Sequence, residues 1–482
     1  MPSSIESAES PSSLGIFEGT SEIGLTVHRG GLEFDPSEAS YTVSGSGENM
    51  WFGSDEFFFV WKKVSGDQAL SADISFFGEG KHYHRKACLL VRQDLTPESV
   101  YADAALHGDG LASLQYRDEV GKTTHDIQSN IVAPSRVRVE KIGQTVTMSV
   151  STPNDEMTYS GGAVNLPIEG DYYIGIGVCS HDRNEVETAI FKNVVLEELN
   201  RSDSDLSLFS SLETVAIAST DRRVVLVLNQ HFEAPNWTPD GRDLIYNSNG
   251  LLFRIPVAGG LPKQIPTGFA VRCNNDHGIS PDGTLIVISD QSQAPHQSII
   301  YTLPIEGGTP TRITENFPSF WHGWSPDGQT LAYCAQREGK YGIFTIPVGG
   351  GSETRLTSTD GLDDGPDYAP DGSKIIFNSD RTGKMQIWSM NCDGTNLTQI
   401  TFDDYNNWFG HISPNAKWMV FLTYGPDVKG HPPDKDVMLR LMSLETGEIT
   451  VLAKLFGGQG TINVPSWSPD SSRVAFVSYQ YR

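Results

Sequence analysis

Histidine side chains are concentrated in short polar segments of the second half of the chain. Of the six histidines after residue 205, four lie in such segments, each just before a proline-containing turn: His231, His277, His322 and His411. Neutral imidazoles, together with amide or carboxylate oxygens, suit a divalent transition ion. One interpretation of the sequence is therefore a metal site formed by these four histidines, holding Mn, Zn or Ca.

The same segments also carry carboxylates that could exchange protons with the histidines. A positioned imidazole or carboxylate is the usual agent of general acid–base catalysis. On this second interpretation the catalytic residues are Asp276, His277, His322, Asp364, Asp367 and His411. A third interpretation gives these side chains only the role of hydrating a channel and hydrogen-bonding strand ends. The residues alone do not decide among the three.

Further polar and aromatic residues of these segments are predicted to bind a ligand. The flat rings of Trp321 and Trp408 could stack on a sugar, or else pack between structural elements. The guanidinium of Arg272 could neutralise a uronate or a phosphate, or form a salt bridge with Asp276. The predicted ligand-binding set is His231, Glu233, Arg272, Asn275, Trp321, Asn407, Trp408 and Gln459.

A sequence repeat positions these segments. Six turns of the Ser-Pro-Asp-Gly type recur, and their prolines follow one another at intervals of 42, 45, 44, 44 and 55 residues. Proline presets the first corner of such a turn and Asp-Gly suits the second. A fixed period of about 40–45 residues is typical of propeller blades. The turn prolines are Pro239, Pro281, Pro326, Pro370, Pro414 and Pro469.

The repeat predicts six four-stranded blades from about Ser211 to Arg482, with the polar segments around the mouth of a central channel. A large residue before each turn is expected to pack between neighbouring blades. The last repeat stops after its second strand, at Tyr481-Arg482. We therefore expect Glu213–Ala218 and Arg223–Leu228 to complete the sixth blade and join the two ends of the ring.

The Trp-Ser-Pro-Asp-Gly repeat, followed by alternating apolar residues, resembles the TolB-type propeller repeat, a WD40-like family. The resemblance implies the propeller fold over about 270 residues. Relatives in this family include protein-binding scaffolds, propellers attached to serine peptidases, and metal-dependent oligogalacturonate lyases. The resemblance to the lyases implies a metal in the funnel.

Residues 15–200 form many short alternating segments separated by polar, glycine-rich turns, which predicts an antiparallel β-sandwich. Phe57–Trp61, Leu106–Gly110, Gly143–Thr147 and Tyr173–Val178 resemble concanavalin-like lectin/glucanase (laminin-G-like) sandwiches. That resemblance implies glycan binding.

Two groups of residues in this part of the chain could bind ligands. His82 and His84 are expected on one face of a strand, as a weak metal signal or as surface residues. A glycine-rich turn is expected to hold residues that bind a glycan hydroxyl or calcium, or that simply stabilise the turn: Tyr101, Asp103, His107 and Asp109.

Length and composition indicate the number of domains, the classes of partner and the compartment. A chain of 482 residues suggests two domains, and we expect a disordered N-terminus (1–14), a sandwich (15–200), a linker (201–210) and a propeller (211–482). A net charge of -25 disfavours nucleic acid as a partner. No apolar stretch is long enough for a membrane span, and no nucleotide-binding motif is present. Five scattered cysteines and no visible secretory signal lead us to expect a cytoplasmic protein.

The function expected from these features is carbohydrate handling. The sandwich would hold a glycan, and the propeller funnel would act on an oligosaccharide as a metal-assisted lyase or a glycosidase. Two alternatives stay open at this point. The propeller could be a non-catalytic scaffold that holds a protein at its rim. It could also be a small-molecule enzyme, such as a lactonase or cyclase, that uses the same funnel.

Overall fold

A computed structural model describes residues 14–152, 157–200 and 206–482 of the chain. The chain divides into two compact units, Met1–Ser204 and Asp205–Arg482. The N-terminus predicted to be disordered lies outside the described residues except for Leu14, as do residues 201–205 of the predicted linker. The end of that linker differs from the expectation, because a strand already begins at Leu208. No helix in the described ranges is long and apolar enough to cross a membrane.

The first unit is built from fourteen strands in the part of it that is described. They are β1 (Gly19–Ile23), β2 (Gly31–Asp35), β3 (Ser40–Gly47), β4 (Phe57–Val64), β5 (Gln68–Phe76), β6 (Lys86–Arg92), β7 (Tyr101–His107), β8 (Ala112–Arg117), β9 (His125–Gln128), β10 (Arg136–Ile142), β11 (Thr145–Ser151), β12 (Thr158–Asn165), β13 (Tyr172–Cys179) and β14 (Asp182–Glu198).

These strands form two antiparallel sheets, in the order β1-β4-β13-β6-β7-β8-β9 and β12-β11-β10-β5-β14-β3-β2. Strands of the two sheets contact each other, for example β5 with β6 and β10 with β7. Successive side chains of a strand point to opposite faces of its sheet. Every residue of β6 and β7 is buried, so both faces of this part of the sheet are covered. On the face that carries Cys88, Leu90 and Tyr101, these residues form a core with aromatic residues of β4.

The second unit is built from strands that follow the sequence repeat. They are β15 (Leu208–Ala216), β16 (Arg222–Leu228), β17 (Glu233–Trp237), β18 (Asp243–Ser248), β19 (Leu251–Pro256), β20 (Lys263–Ile265), β21 (Cys273–Ile279), β22 (Leu285–Asp290), β23 (Ile299–Pro304), β24 (Thr311–Arg312), β25 (Ser319–Trp324), β26 (Thr330–Arg337), β27 (Lys340–Pro347), β28 (Thr354–Arg355), β29 (Asp363–Tyr368), β30 (Lys374–Ser379), β31 (Gln386–Asn391), β32 (Thr398–Gln399), β33 (Asn406–Ile412), β34 (Trp418–Tyr424), β35 (Lys435–Ser443), β36 (Ile449–Gly457) and β37 (Arg473–Tyr481); a short 3₁₀ helix covers Gln459–Thr461.

The repeated turns have a common hydrogen-bond pattern that explains their composition. In the turn after β21, the hydroxyl of Ser280 donates to Asp282 Oδ1 at 2.6 Å, and that carboxylate accepts the backbone N–H of Thr284 at 3.0 Å. The turn glycine Gly283 has φ +72°, a conformation that suits glycine. The turns at Ser325 and Ser468 repeat the 2.6 Å bond between hydroxyl and carboxylate. Each turn is therefore specified locally, which is why the period is visible in the sequence.

Five four-stranded blades form within the described residues, rather than the six predicted. They are β17–β20, β21–β24, β25–β28, β29–β32 and β33–β36. The sixth repeat differs because the segment before its turn makes only an isolated bridge, between Trp467 and Val474. Pro465 within that segment has no N–H to donate to a strand ladder, and the 3₁₀ helix Gln459–Thr461 precedes it.

The two ends of the second unit pair with each other. Strand β15 pairs antiparallel with β37 over nine residues, from Leu208 opposite Tyr481 to Ala216 opposite Arg473. Strand β16 pairs with the other edge of β15. The carboxylate of Glu213, which is fully buried, accepts hydrogen bonds from Arg222 on β16 and from Ser478 on β37. The first and last strands of the unit are thus held in one sheet.

The large residues before the turns belong to the cores of the unit, as predicted. Trp324 and Trp467 lie inside two of these cores, and Tyr368 packs against a third. Strands of different blades share a core: Ile245 of β18 and Ile286 of β22 lie in the same cluster. Burial between consecutive sheets is the source of propeller stability.

Candidate functional site

The innermost strands of several blades converge on one cavity of about 310 Å³ in the second unit. Charged, polar and aromatic residues share its wall: Asp276, Phe320, His322, Cys334, Tyr341, Leu362, Asp364, His431 and Gln459. Asp276, His322 and Asp364 come from the first strands of three consecutive blades, β21, β25 and β29. The cavity therefore lies where the sequence predicted the mouth of a channel, and four of the predicted residues line it.

His322 is held at both of its ring nitrogens. Nε2 lies 3.3 Å from Oδ1 of Asp364, and Nδ1 lies 3.3 Å from the carbonyl oxygen of Asn463. A carbonyl oxygen only accepts, so Nδ1 carries a proton. Burial lowers the pKa of His322, but the hydrogen bond to Asp364 and the charges of Asp276 and Asp364 outweigh it and raise that pKa to about 9. The ring is therefore a cation at neutral pH.

Asp364 is the anion that balances this cation. Burial raises the pKa of Asp364, but the hydrogen bond and charge of His322 are stronger in sum and lower that pKa to about 2. The backbone N–H of Gly365 also donates to Oδ1 at 2.8 Å. The Nε2 atom of His431 lies 3.8 Å from Oδ2, on the other side of the carboxylate. Asp364 is thus ionised and oriented.

Asp276 is the carboxyl group that can change its protonation near neutral pH. Its oxygens accept hydrogen bonds from the side-chain amides of Asn274 at 2.8 Å and Asn463 at 3.0 Å. Burial raises the pKa of Asp276 to about 6, and the charge of Asp364 adds to this while His322 opposes it. A carboxyl group with such a pKa both gives and takes protons at physiological pH.

Glu233 on β17 is a second carboxyl group of this kind. Burial and the charge of Asp276 raise the pKa of Glu233 to about 7. The amide of Asn275 lies 3.5 Å from its Oε2, and His231 Nε2 lies 4.0 Å from the same oxygen. The His231 ring stacks on Tyr479 with centroids 5.3 Å apart and is partly exposed. Burial lowers the pKa of His231. The charge of Asp276 thus affects Glu233, but neither Glu233 nor His231 lines the cavity.

His411 and Asp367 form a separate buried pair. His411 Nδ1 lies 2.9 Å from Oδ2 of Asp367, and neither residue lines the cavity. His277 is fully buried and also lies outside the cavity wall. Its ring approaches the carbonyl groups of Ile245 and Asn275, yet neither contact has hydrogen-bond geometry. Burial lowers the pKa of His277 to about 4, so this ring is neutral.

The two tryptophans predicted to stack on a sugar are core residues. Trp321 and Trp408 are each 1% exposed. The Trp321 ring fills the space beside Gly278, where an added Cβ would lie 2.0 Å from Cη2. Trp408 packs edge-on against His431, with centroids 4.4 Å apart. The aromatic rings that do line the cavity are Phe320 and Tyr341.

Two other predicted ligand-binding residues have different environments from those expected. Arg272 is exposed, and its guanidinium forms no ion pair with Asp276 or with any other residue in the described ranges. Asn407 is fully buried and ties strands together: it donates to Gln386 and Asp403 and accepts from Thr423. Gln459, in contrast, does line the cavity.

The four histidines predicted as metal ligands are not brought together. His322 lines the cavity, His411 pairs with Asp367, His277 is isolated in the core and His231 is half-exposed. Across residues 14–152, 157–200 and 206–482, no group of three or more His, Cys, Asp or Glu side chains is arranged to hold a metal ion.

His431 is a cavity residue that the sequence analysis did not place there. It lies between β34 and β35, in a connection that spans Gly425–Asp434. The signal for it was the last interval between turn prolines, 55 residues against 42 to 45 elsewhere. An insertion of this size in one blade adds a loop that can reach over the channel, as loops of scaffold folds often do at functional sites.

In the first unit, the residues predicted around a glycine-rich turn are distributed differently. Only Asp109 lies in the turn itself, where it accepts the N–H of Leu111. Tyr101 is in the core and donates its hydroxyl to the carbonyl of Met50. Asp103 and His107 point from β7, four residues apart on one face of a buried strand. His82 and His84 precede β6 in a turn rather than lying on a strand.

Comparison with known proteins identifies relatives of the second half of the chain. A family model of the TolB beta propeller domain matches residues 315–429. The chain is 50% identical to the uncharacterized protein Atu1656 of Agrobacterium fabrum (strain C58) over 274 residues, which are 57% of this chain and 93% of that protein. It is also similar to a solved TolB-like structure from Agrobacterium tumefaciens, with 50% identity and a TM-score of 0.55, covering 57% of this chain and 99% of that one.

More distant structural neighbours include an oligogalacturonate lyase from Vibrio parahaemolyticus. It is 12% identical, with a TM-score of 0.37, and covers 57% of this chain and 98% of the lyase chain. A likeness at this level concerns the propeller fold and says nothing about a shared activity.

Proposed function

The chain belongs to the TolB-like β-propeller family, and from this membership and the cavity we propose that it is a carbohydrate-handling protein that binds a neutral sugar in the funnel and acts on it by acid–base chemistry. The observation that carries the proposal is the convergence of Asp276, His322 and Asp364 on one cavity.

The size of the cavity supports a small ligand. Its volume of about 310 Å³ lies at the lower end of the range of about 300–1,000 Å³ for small-molecule sites, which suits one sugar unit. Phe320 and Tyr341 supply aromatic rings against which a sugar ring can pack. Gln459 and the three charged residues supply donors and acceptors for hydroxyl groups.

The charge of the cavity supports a neutral sugar rather than a uronate. Two carboxylates, Asp276 and Asp364, face one imidazolium, His322. The pKa of nearby Glu233, raised by burial to about 7, adds a further fraction of negative charge at neutral pH. A second anion brought into this site would be repelled. Arg272, which could have neutralised a uronate or a phosphate, is exposed and is not part of the cavity wall.

The proposed chemistry assigns different roles to the three residues. Asp276 is the general acid–base, because burial places its pKa at about 6. His322 is a fixed cation that stabilises negative charge developing on a departing oxygen. Asp364 is a positioning residue that orients His322 through the 3.3 Å contact. In the proposed cleavage, Asp276 gives its proton to the departing oxygen, and a water molecule attacks the anomeric carbon and returns a proton to Asp276.

A saccharide-binding screen tests the proposal. Thermal shift and calorimetry would compare neutral mono- and disaccharides with galacturonate, before and after chelation of divalent metals. We expect a neutral sugar to bind the parent protein, with at least tenfold weaker binding in Asp276→Asn and His322→Gln. Asp282→Asn, in an exposed turn of the same blade as Asp276, is the matched control and should bind normally.

Other outcomes of this screen would contradict the proposal. Binding of galacturonate alone would point to an anionic substrate. Binding that disappears with chelation would favour the metal-assisted reaction, with Mn, Zn or Ca as the ion. Tight binding of a small non-sugar lactone would favour the lactonase- or cyclase-like alternative. Under the scaffold alternative a protein would bind at the propeller rim, and Trp321 and Trp408, which are buried, could not contact it.

We also propose that β37, β15 and β16 act as a sixth blade that closes the ring. The support is the nine-residue pairing of β15 with β37 and the pairing of β16 with β15. Removing Ser472–Arg482 would delete β37 and should unfold the second unit, seen as loss of its cooperative melting transition. A truncated chain with an unchanged melting temperature would contradict the closure.

For the first unit we propose a concanavalin-like β-sandwich. Its support is the pair of seven-strand antiparallel arrangements whose strands contact each other. The earlier expectation that this unit holds the glycan stays a prediction. Binding of neutral glycans to a chain that carries Asp276→Asn, which disables the funnel, would measure the contribution of the first unit.

A further inference from the structure

Lys86, the first residue of β6, is a buried cation with an incomplete set of partners. It is 2% exposed, and its Nζ donates to Oδ1 of Asn49 at 2.8 Å. Within the part of the chain that the structure describes, no carboxylate forms an ion pair with it. Its sequence neighbour Arg85 is equally buried but pairs with Glu187 at 2.7 Å. Burying an unpaired charge is costly, and an anion bound beside Lys86 would reduce that cost.

Three imidazole rings surround this position. On the paired strand β7, His107 lies directly opposite Lys86. The ring centroid of His84 is 5.6 Å from that of His107 and 5.4 Å from that of His181. Buried Nδ1 atoms of His107 and His181 have no hydrogen-bond partner among the described atoms. The site thus contains a cation beside two unsatisfied ring nitrogens, each of which donates in the tautomer with its proton on Nδ1.

The three imidazole rings carry no positive charge near neutral pH, so Lys86 is the charged group of the site. Burial and the charge of Lys86 lower the pKa of His84, of His107 and of His181. For His181 the pKa falls to about 3. All three rings are therefore neutral near pH 7, and they act as hydrogen-bond donors or acceptors rather than as charges.

The acidic groups near this site do not neutralise it. Asp103 lies on the same face of β7, and burial raises its pKa to about 8, so it is largely protonated at neutral pH. Its carboxyl group faces the thiol of Cys88 on β6, although no contact of its oxygens has hydrogen-bond geometry. Asp55 is taken by Arg92 and Arg117. The charge of Asp109 raises the pKa of His84 slightly against the effect of burial, but Asp109 lies on the exposed turn after β7. Lys86 is thus a buried lysine that no carboxylate in the described ranges pairs with, in a protein whose formal net charge is -25.

We propose that Lys86, His107 and His181 form an anion site in the first unit that binds the carboxylate group of a small organic acid. Lys86 supplies the charge, and the two free Nδ1 positions supply hydrogen bonds to the carboxylate oxygens. Asp103 and the Gln115 oxygen, also unpaired, provide contacts for hydroxyl groups of the acid.

Charge matching selects a carboxylate over a phosphate. One lysine among neutral rings balances a single negative charge, whereas phosphate near pH 7 carries between one and two. His82 and His84 are half-buried and Tyr83 between them is exposed, so the site adjoins the protein surface. The site is independent of the sugar proposed for the funnel, since its residues all lie in the first unit.

Thermal shift of the full chain with simple anions tests the site. Sodium acetate is the minimal probe and sodium chloride at equal ionic strength is its control. Glucuronate is the second probe, and glucose, the same sugar without the carboxylate, is its uncharged control. Inorganic phosphate is the third probe. We expect acetate and glucuronate to raise the melting temperature of the first unit above the value in chloride. Lys86→Met should abolish that shift. Lys141→Met is the matched control, because Lys141 is also buried without an ion pair in the described ranges, and it should keep the shift.

The ligand-free stability of the variants and the response to each anion either support or contradict the anion site. In the absence of ligand, Lys86→Met should melt at or above the parent temperature, because an unpaired buried charge has been removed. If that variant fails to fold, His107→Phe replaces it, and it should weaken glucuronate binding at least tenfold by calorimetry. Equal effects of acetate and chloride on the parent protein would overturn the proposal. Stabilisation by phosphate but not by carboxylates would overturn the choice of ligand.

Discussion

The Nε2 atom of His322 lies 3.3 Å from Oδ1 of Asp364, across the gap between the first strands of two neighbouring blades. The opposite ring nitrogen faces the carbonyl of Asn463, which is 141 positions away in the chain. The imidazole is thus fixed by two contacts that only the tertiary structure of the second unit can supply. The predictions below concern this contact, the strands that support it and the turns that define the blades.

Replacing Asp364 by Asn should lower the pKa of His322. The substitution removes the hydrogen-bonded anion that, with Asp276, holds this pKa near 9, while burial continues to favour the neutral ring. Titration of the His322 ring protons by NMR would show a drop of at least one pKa unit. Asp371→Asn, in an exposed turn of the same blade, is the control. An unchanged titration in Asp364→Asn would show that the pair does not set the charge of the ring.

The stability of the second unit should fall as pH rises from about 6.5 to 9. The pKa of His322 is raised in the folded protein from 6.5 to about 9, so its contribution is complete below the unfolded value and is lost as pH passes the folded one. We expect a loss on the order of 2 kcal/mol from this group. Denaturant unfolding at several pH values measures it.

The contribution of His322 to this pH dependence of stability is measured by removing the ring in His322→Gln. The pKa of Asp276 and that of Glu233 are raised by burial to about 6 and about 7, so ionising these groups also removes stability as pH rises from about 4. Loss of the His322 charge would raise the pKa of Asp276 further, so the comparison is made in chains that carry Asp276→Asn. Subtracting the His322→Gln profile from the profile without it, both in that background, leaves the part between pH 6.5 and 9. A difference that is flat over this window would contradict the assignment.

Gly278→Ala should destabilise the second unit by about 2 kcal/mol through overpacking. An added Cβ would lie 2.0 Å from Cη2 of Trp321, which is buried and cannot move away freely. Gly349→Ala is the control, because no atom lies within 4 Å of the corresponding Cβ. Equal denaturation midpoints for the two variants would mean that the ring relaxes at little cost.

Glu213→Ala should cost about 3–5 kcal/mol, the usual penalty for leaving one partner of a buried ion pair alone. The fully buried carboxylate accepts two hydrogen bonds from Arg222 and one from Ser478, linking β15, β16 and β37. Glu353→Ala, which removes a partly exposed partner of Arg337, should cost less. Thermal or denaturant unfolding compares them, and the reverse order would show that the three-strand connection matters little.

Ala416→Gly should stabilise the protein by up to about 1 kcal/mol. Ala416 occupies the turn position where the other four complete blades have glycine, and its φ is +56°. Glycine adopts this conformation without steric cost, although it loses more entropy on folding. The reciprocal change Gly328→Ala, at φ +70°, should destabilise by about 1 kcal/mol. A stability change of the same sign in both variants would contradict the explanation of the turn.

The repeated turns and the strands between them could be predicted from the sequence because their determinants are local. Each Ser-Pro-Asp-Gly turn closes with bonds inside five residues, such as those of Ser280, Asp282 and Thr284. The alternation of apolar residues after each turn depends only on the two faces of a strand. The pairing partners of the last repeat were also predictable, because an unpaired strand edge is unfavourable and strand-like segments precede the first repeat.

The composition of the cavity depended on the tertiary structure. The sequence placed Asp276, His322, Asp364 and Gln459 at the channel mouth, but it also placed Trp321, Trp408 and His411 there. The first strand of every complete blade contains a register shift, such as that between Trp321 and Gly323. One extra residue in a strand turns the following side chains to the other face, so position in the repeat does not reveal which side chains meet.

By itself the sequence determined the repeat, the turn geometry and the strands, because these follow from contacts between residues close together in the chain. Only the tertiary structure decided which side chains share a cavity, since His322, Asp364 and Asn463 meet through blade packing and His431 arrives on an inserted loop. It alone also revealed that Lys86 is buried near two imidazole rings whose Nδ1 atoms have no hydrogen-bond partner in the described ranges. Burial and charge depend on neighbours distant along the chain, and these determine the chemistry of both sites.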